Sequence, residues 1–303
     1  MDRLRQIGFL GLGTMGQGMV ANLLAAGYDV CGYNRTPGRA SALVAAGMLE
    51  ARAPQDCVER ADIAILCVAD DSAVRAVALG PEGVVASLAA GSVLVDTGTT
   101  SLAMTTELAD ACSDRGVRFV DAPITGSKLG AQRGALTFMV GGAVPDVEQL
   151  HPLFQAMGRH VVHVGEAVGA GQSAKYCLNM TQSVVLQGVL EGYALAGRLG
   201  VRVEKLAEIF ENSAGKTGVG SFKTPYLFNG DFTPHFRLAL MHKDLHLALA
   251  EAHRAGIPLP AASATCHIYD QSVAEGLGDE DFLAVAKLVE RWAGVQLRPC
   301  DPS

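Results

Sequence analysis

The sequence predicts a doubly wound α/β sheet in its first half and an all-α region in its second. Three observations carry that reading. Short β-rich runs alternate with Ala- and Leu-rich segments up to residue 165. A glycine-rich turn follows directly on the first of those runs. Beyond Gly169 the spacing becomes helical, with no convincing strand. The expected domains are residues 1–165 and residues 166–303, the second beginning with a long linking helix.

Gln6–Leu10 (QIGFL), Asp29–Tyr33 (DVCGY), Ile63–Val68 (IAILCV), Val93–Asp96 (VLVD) and Val117–Asp121 (VRFVD) are nearly continuous apolar runs. That is the composition of parallel strands covered on both faces. Gly16–Ala26 and Ser101–Arg115 read as helices between them, and Thr137–Gly142 and His160–Gly165 as two further strands. Gln172 to Leu199 lacks proline and is apolar on most faces, which predicts a buried helix crossing from one domain to the other. Lys205–Glu211, Leu238–His253, Ala261–Glu275 and Phe282–Trp292 have helical spacing. No internal repeat or low-complexity linker interrupts the chain.

Composition narrows the classes of partner. The 303 residues carry a net charge of −7 and no adjacent pair of Lys or Arg, which argues against nucleic acid or an anionic membrane surface. No apolar run reaches the roughly 18–20 residues of a membrane span. The opening MDRLRQIGFLGLG passes directly into a strand and a glycine loop, so no cleavable signal is expected. Seven cysteines without a CxxC pair suggest reduced thiols and a cytoplasmic location.

Gly11-Leu12-Gly13-Thr14-Met15-Gly16 is a GxGxxG between a strand and a helix, the context in which that motif binds a dinucleotide. Gly11 permits the tight turn, Gly13 lets a pyrophosphate reach the backbone, and Gly16 allows helix and strand to pack closely. About 20 residues further on, an NAD site usually places an acidic residue for the ribose 2′-hydroxyl. Here Asn34-Arg35-Thr36 stands instead, and an arginine accepts a 2′-phosphate through paired donors. NADP(H) is therefore the preferred cofactor, with NAD(H) possible. Val68, at the end of the third strand, and Thr99, after the fourth, fall at the carboxyl edge where ligands bind in such sheets. Thr97 and Thr100 read as caps for the following helix.

The stretch GAGQSAKYCLN (169–179) carries a lysine at the start of a helix with no further charge before Glu191. Lysine is scarce: seven occur, none before Lys128. Reduction of a carbonyl needs a proton donor, and partial burial moves an ammonium toward that task. A lysine snorkelling from a helix end fits the same residues. Asn179, at i+4, shares the face of Lys175. Gly169 and Gly171 are expected to make room for a nucleotide or substrate.

Four motifs in order then resemble the β-hydroxyacid dehydrogenase family: GFLGLGTMGQGMVANLLAAGYDVCGYNRT (8–36), DAPITGSKLGAQRGALTFMVGG (121–142), GAGQSAKYCLN (169–179) and HKDLHLAL (242–249). The resemblance implies an α/β Rossmann-type doubly wound sheet followed by an all-α C-terminal domain, assembled as a homodimer or homotetramer. It implies a catalytic Lys175 with Asn179 beside it, a substrate carboxylate on Thr125-Gly126-Ser127, cofactor contacts from Thr99 and Lys243, and a pocket lined by Phe236. Where hydroxyisobutyrate and tartronate enzymes commonly read Ser-Gly-Gly, this chain reads Thr125-Gly126-Ser127-Lys128. That form resembles the glyoxylate/succinic semialdehyde reductase branch. Lys128 either pairs a distal carboxylate or is simply solvated. Asp96-Thr97-Gly98-Thr99 also departs from the common Asp-x-Ser-Thr.

The expectation is an NADP(H)-dependent reductase of short aldehyde acids, with hydride from NADPH and a proton from Lys175. The alternatives are a 3-hydroxyisobutyrate dehydrogenase, a tartronate semialdehyde reductase, or a non-catalytic NADP-binding protein. Imine reductases share the architecture but generally lack this lysine. His242 and His246 have the i, i+4 spacing of zinc ligands, yet HKDLH lacks a neighbouring glutamate and the sequence places no third ligand. No metal is expected.

Overall fold

In the computed structural model, which describes residues 5–36, 38–80 and 82–299, the apolar runs pair into one sheet. Its strands are β1 (Gln6–Leu10), β2 (Asp29–Tyr33), β3 (Leu49–Glu50), β4 (Ile63–Leu66), β5 (Val93–Asp96), β6 (Arg118–Asp121), β7 (Ile124–Thr125), β8 (Leu136–Gly141) and β9 (Gly158–Gly165). The order is β3-β2-β1-β4-β5-β6-β8-β7, with β9 beside β8. All pairs from β3 to β6 are parallel. β8 runs antiparallel to β6 and β7, and β9 parallel to β8.

Alternate residues enter two different cores, as the strand period requires. Ile63 and Ile65 of β4 join Phe9, Val20, Val95 and Phe138 on one face. Ala64 and Leu66 join Leu10, Leu94, Met104 and Leu108 on the other. Covering both faces needs crossover helices, and Thr14–Ala25 and Leu102–Asp114 supply two of them. The chain runs outward through β2 and β3, then returns to place β4 on the opposite side of β1. The carboxyl ends of β1 and β4 therefore border the point where strand order reverses, the ligand crevice of such sheets.

The chain divides into two compact units, Met1–Lys175 and Tyr176–Ser303, with the division inside the helix Ala170–Arg198. The second unit is helical: Val203–Glu211, Gly218–Asn229, Leu238–Arg254, Pro260–Ala274, a 3₁₀ turn Phe282–Val285, and Ala286–Ala293. Leu190, Tyr193, Leu245, Tyr269 and Leu283 lie in its core. Within it, Lys223 Nζ and Asp281 Oδ1 form a buried ion pair at 2.6 Å. No helix among the described residues is long and apolar enough to cross a membrane.

Four elements in particular depart from the sequence expectation. β3 and β7 are two residues long, too short to show a period. The strand expected through Val68 ends at Leu66. Gly218–Asn229 forms a helix despite Pro225, because Thr217 Oγ1 accepts from Gly220 N (3.1 Å) and Gly230 ends the helix in the left-handed conformation.

Candidate active site

The glycine loop has the shape a pyrophosphate needs. Gly11 has φ +110°, and a Cβ there would lie 2.3 Å from Cys67 O. A Cβ at Gly16 would lie 2.0 Å from Gly11 O. Gly13 differs: a Cβ would meet nothing within 4 Å, so the loop opens there onto free space. The helix Thr14–Ala25 begins beside that space with no side-chain cap, which leaves its first N–H groups suited to an anion. Asn34 Oδ1 accepts from Leu12 N (3.1 Å) and its Nδ2 donates to Thr36 O (2.8 Å), tying the loop to the turn after β2. Arg35 and Thr36 are exposed on that turn, and Val68 and Thr99 are half-buried after β4 and β5. These residues fit a nicotinamide dinucleotide, and Arg35 is a cation on the turn after β2. We expect Gly13→Val to weaken NADPH binding at least tenfold, about 1.4 kcal/mol, while the chain stays folded; cofactor fluorescence titration and a thermal melt check both.

The helix that carries the lysine is fixed at its start by the sheet. Asp121, the last residue of β6, is fully buried; its Oδ1 accepts from Gly169 N (2.8 Å) and its Oδ2 from Gln172 N (2.9 Å). Those are the helix's otherwise orphaned donors. Burial pushes the Asp121 carboxyl up, and the N–H donors pull it back. Gln172 Nε2 donates to Gly98 O (3.1 Å) and Thr100 Oγ1 (3.3 Å), linking the helix to the loop after β5. A Cβ on Gly171 would lie 2.3 Å from Met139 O and 2.8 Å from Asp121 O. The neighbour that Gly171 admits is therefore the sheet itself and not a ligand. Thr97 and Thr100 are not caps either: Ser101 Oγ caps the next helix by accepting from Met104 N (3.0 Å), while Thr97 Oγ1 donates to Leu66 O (2.7 Å).

One turn into the helix, Lys175 is buried, and its Nζ donates to Ile124 O at 2.8 Å. Ile124 directly precedes Thr125, Gly126 and Ser127. Gly126 has φ +134° and Ser127 +62°, the positive non-glycine φ among the described residues. A serine held there costs about 1–3 kcal/mol, of the kind stored where function requires it. Successive backbone N–H groups in such a turn make a concavity for an anion. The ammonium and that turn thus share one carbonyl, within the first unit. Lys128 is exposed.

Asn179, Phe236 and Lys243 lie in the second unit. Asn179 Nδ2 donates to Asp244 Oδ2 (2.6 Å), and Lys243 Nζ lies 3.0 Å from Asp244 Oδ1. The buried Asp244 carboxylate therefore joins two of the three. The Phe236 ring packs edge-on to Phe282 with centroids 6.4 Å apart. Asp121, Gln172 and Asp244 were not singled out from sequence. Asp121 ends an apolar strand and Asp244 follows a lysine, signals that do not reveal partners 48 and 65 residues away.

A glycine loop at a switch point, with a buried lysine beside a turn of positive φ, is the arrangement of a nicotinamide-dependent oxidoreductase acting on CH–OH groups. Residues 6–165 match the family described as the NAD binding domain of 6-phosphogluconate dehydrogenase. Residues 169–289 match that described as NAD-binding of NADP-dependent 3-hydroxyisobutyrate dehydrogenase. The chain belongs to the β-hydroxyacid dehydrogenase family. It is 35% identical to an NAD-dependent L-serine dehydrogenase of Pseudomonas aeruginosa, over 96% of this chain and 100% of that one. It is 32% identical to glyoxylate/succinic semialdehyde reductase 2, chloroplastic, of Arabidopsis thaliana, over 94% and 79% respectively. Among solved structures, Mycobacterium tuberculosis 3-hydroxyisobutyrate dehydrogenase with L-serine superposes with a TM-score of 0.86 at 32% identity, over 94% of this chain and 99% of that one.

Proposed function

We propose that the chain is an NADP(H)-dependent reductase of short aldehyde acids, glyoxylate and succinic semialdehyde being its substrates, and that Lys175 is the proton donor. The observation that carries this reading is the buried Lys175 Nζ, bonded at 2.8 Å to the carbonyl just before the Thr125–Ser127 turn. NADPH, when bound, supplies the hydride to the aldehyde carbon. Gly11–Gly16 would receive its pyrophosphate, Asn34, Arg35 and Thr36 its 2′-phosphate, and Val68, Thr99 and Lys243 further parts of it. Backbone N–H groups of Thr125-Gly126-Ser127, with a hydroxyl of that loop, hold the substrate carboxylate and so fix where the aldehyde sits. Lys175 gives its proton to the aldehyde oxygen as charge gathers there, and in the oxidative direction the neutral amine takes it back. Asn179 orients the lysine or the substrate, and Phe236 lines the pocket. The reductase relative and the Gly-Ser-Lys turn support aldehyde acids as substrates. Arg35 supports NADPH, although a relative is named for NAD.

The test compares NADPH-dependent reduction of glyoxylate and succinic semialdehyde with NADP⁺- and NAD⁺-dependent oxidation of 3-hydroxyisobutyrate and L-serine. Higher kcat/KM for the aldehyde acids supports the reading; turnover confined to the hydroxyacids overturns it. Arg35→Ala is expected to raise KM for NADPH at least tenfold, about 1.4 kcal/mol, with KM for NADH nearly unchanged. A cytoplasmic homodimer or homotetramer belongs to the same reading; the six described cysteines, all free thiols, support a reducing compartment.

A further inference from the structure

The helix Leu238–Arg254 carries His242 and His246 at i, i+4, on one face. The helix Pro260–Ala274 brings Asp270 against both of them. His242 Nε2 and His246 Nε2 each lie 2.7 Å from Asp270 Oδ1, and 3.1 Å from one another. Cys266 Sγ lies 3.6 Å from His246 Nε2.

We propose that His242, His246 and Asp270 form a binding site for a divalent transition-metal ion of the zinc type. Three ligand atoms converge on one point from two helices of the same unit, all within 4.8 Å of each other. Tetrahedral zinc at about 2.0–2.2 Å from nitrogen and oxygen holds its ligands roughly 3.3 Å apart. The triangle of 2.7, 2.7 and 3.1 Å is only slightly tighter than that. Two N–H donors can both serve the Asp270 oxygen, but the two ring nitrogens are then left facing each other at 3.1 Å. A cation serves all three. Two imidazoles and one carboxylate favour zinc, cobalt, nickel or copper over magnesium or calcium. Three protein ligands leave a fourth position for water, and the partly exposed side chains give an ion a way in. The ion would staple the two helices, whose only covalent link is the chain through residues 255–259. His246 is the decisive member, since it is the side chain least covered by protein and has Asp270, His242 and Cys266 around its Nε2.

Cobalt(II) is the probe. Tag-free chain is stripped with EDTA, dialysed and titrated with Co(II) while visible d–d absorption is followed, then challenged with Zn(II). One saturable equivalent with a four-coordinate spectrum, displaced by zinc, is expected of the native chain. His246→Ala and Asp270→Asn should each bind at least 10–100-fold more weakly, the loss that even outer-shell changes cause. His253→Ala, an exposed histidine of the same helix, should bind as the native chain does. Circular dichroism of each stripped variant shows that it is folded, and zinc should raise the Tm of the native and His253→Ala chains alone. No saturable uptake by the native chain, or uptake equal in His246→Ala and Asp270→Asn, overturns the proposal.

Discussion

Lys175→Ala is expected to lower kcat for aldehyde-acid reduction by about 10²–10⁴-fold, the usual worth of a positioned general acid, while NADPH affinity stays close to native. The expectation follows from placement. The Nζ is held at 2.8 Å by Ile124 O, next to the turn assigned to the substrate carboxylate. For a substrate anchored there, Lys175 is the proposed proton donor to the aldehyde oxygen. The variant should fold. Removing the side chain leaves Ile124 O short of a donor, about 1–3 kcal/mol, but also removes the desolvation of a buried ammonium. Lys175→Arg is the sharper companion. It keeps the positive charge, yet a guanidinium does not release a proton near neutrality, so its kcat should fall almost as far. Steady-state NADPH oxidation with a parallel fluorescence binding curve separates loss of chemistry from loss of cofactor.

Asp281→Ala is expected to destabilise the chain by about 3–5 kcal/mol, because it leaves a buried lysine without its counter-charge. Asp281 does more than pair Lys223. Its Oδ2 accepts from His235 N (2.8 Å) and Phe236 N (3.2 Å), and its Oδ1 from Leu283 N (3.0 Å). Losing the carboxylate strands those three donors along with the ammonium. Lys223→Met strands only the carboxylate, which keeps all three N–H bonds, so it should cost clearly less. The pair also predicts a pH trend. Burial pushes the Lys223 ammonium down and Asp281 pushes it back up. Without Asp281 the lysine falls further below its ordinary value. The unfolded chain then binds more protons than the folded one, and stability rises with pH. The deficit of Asp281→Ala should therefore narrow between the depressed folded value and the ordinary lysine value of about 10.4. Melts of both variants across that range check the order and the sign; a deficit that widens with pH contradicts it.

Local pattern made most of the first unit legible. Buried parallel strands of four to six residues are nearly continuous apolar runs, and β1, β2 and β5 fall at their expected bounds. The GxGxxG stands out because turn, helix start and close packing each demand glycine within six residues. Lys175 stands out because a charge is rare in so apolar a helix. What escaped were partnerships between residues far apart in sequence. Asp121 with Gly169, Gln172 with Gly98, and Asn179 with Asp244 are spaced by 48, 74 and 65 residues. The His242–His246 pair was visible, but Asp270 comes from the next helix and has no spacing that announces it. Gly171 was misread for a related reason: glycine signals close approach, not what approaches.

Proton delivery by Lys175 is best tested by titrating Lys175→Ala with methylamine while NADPH oxidation by glyoxylate is followed. The expected rate is far below native without amine and climbs as amine occupies the vacated space and supplies the missing acid. A rate close to native at zero amine, flat across the titration, would contradict it.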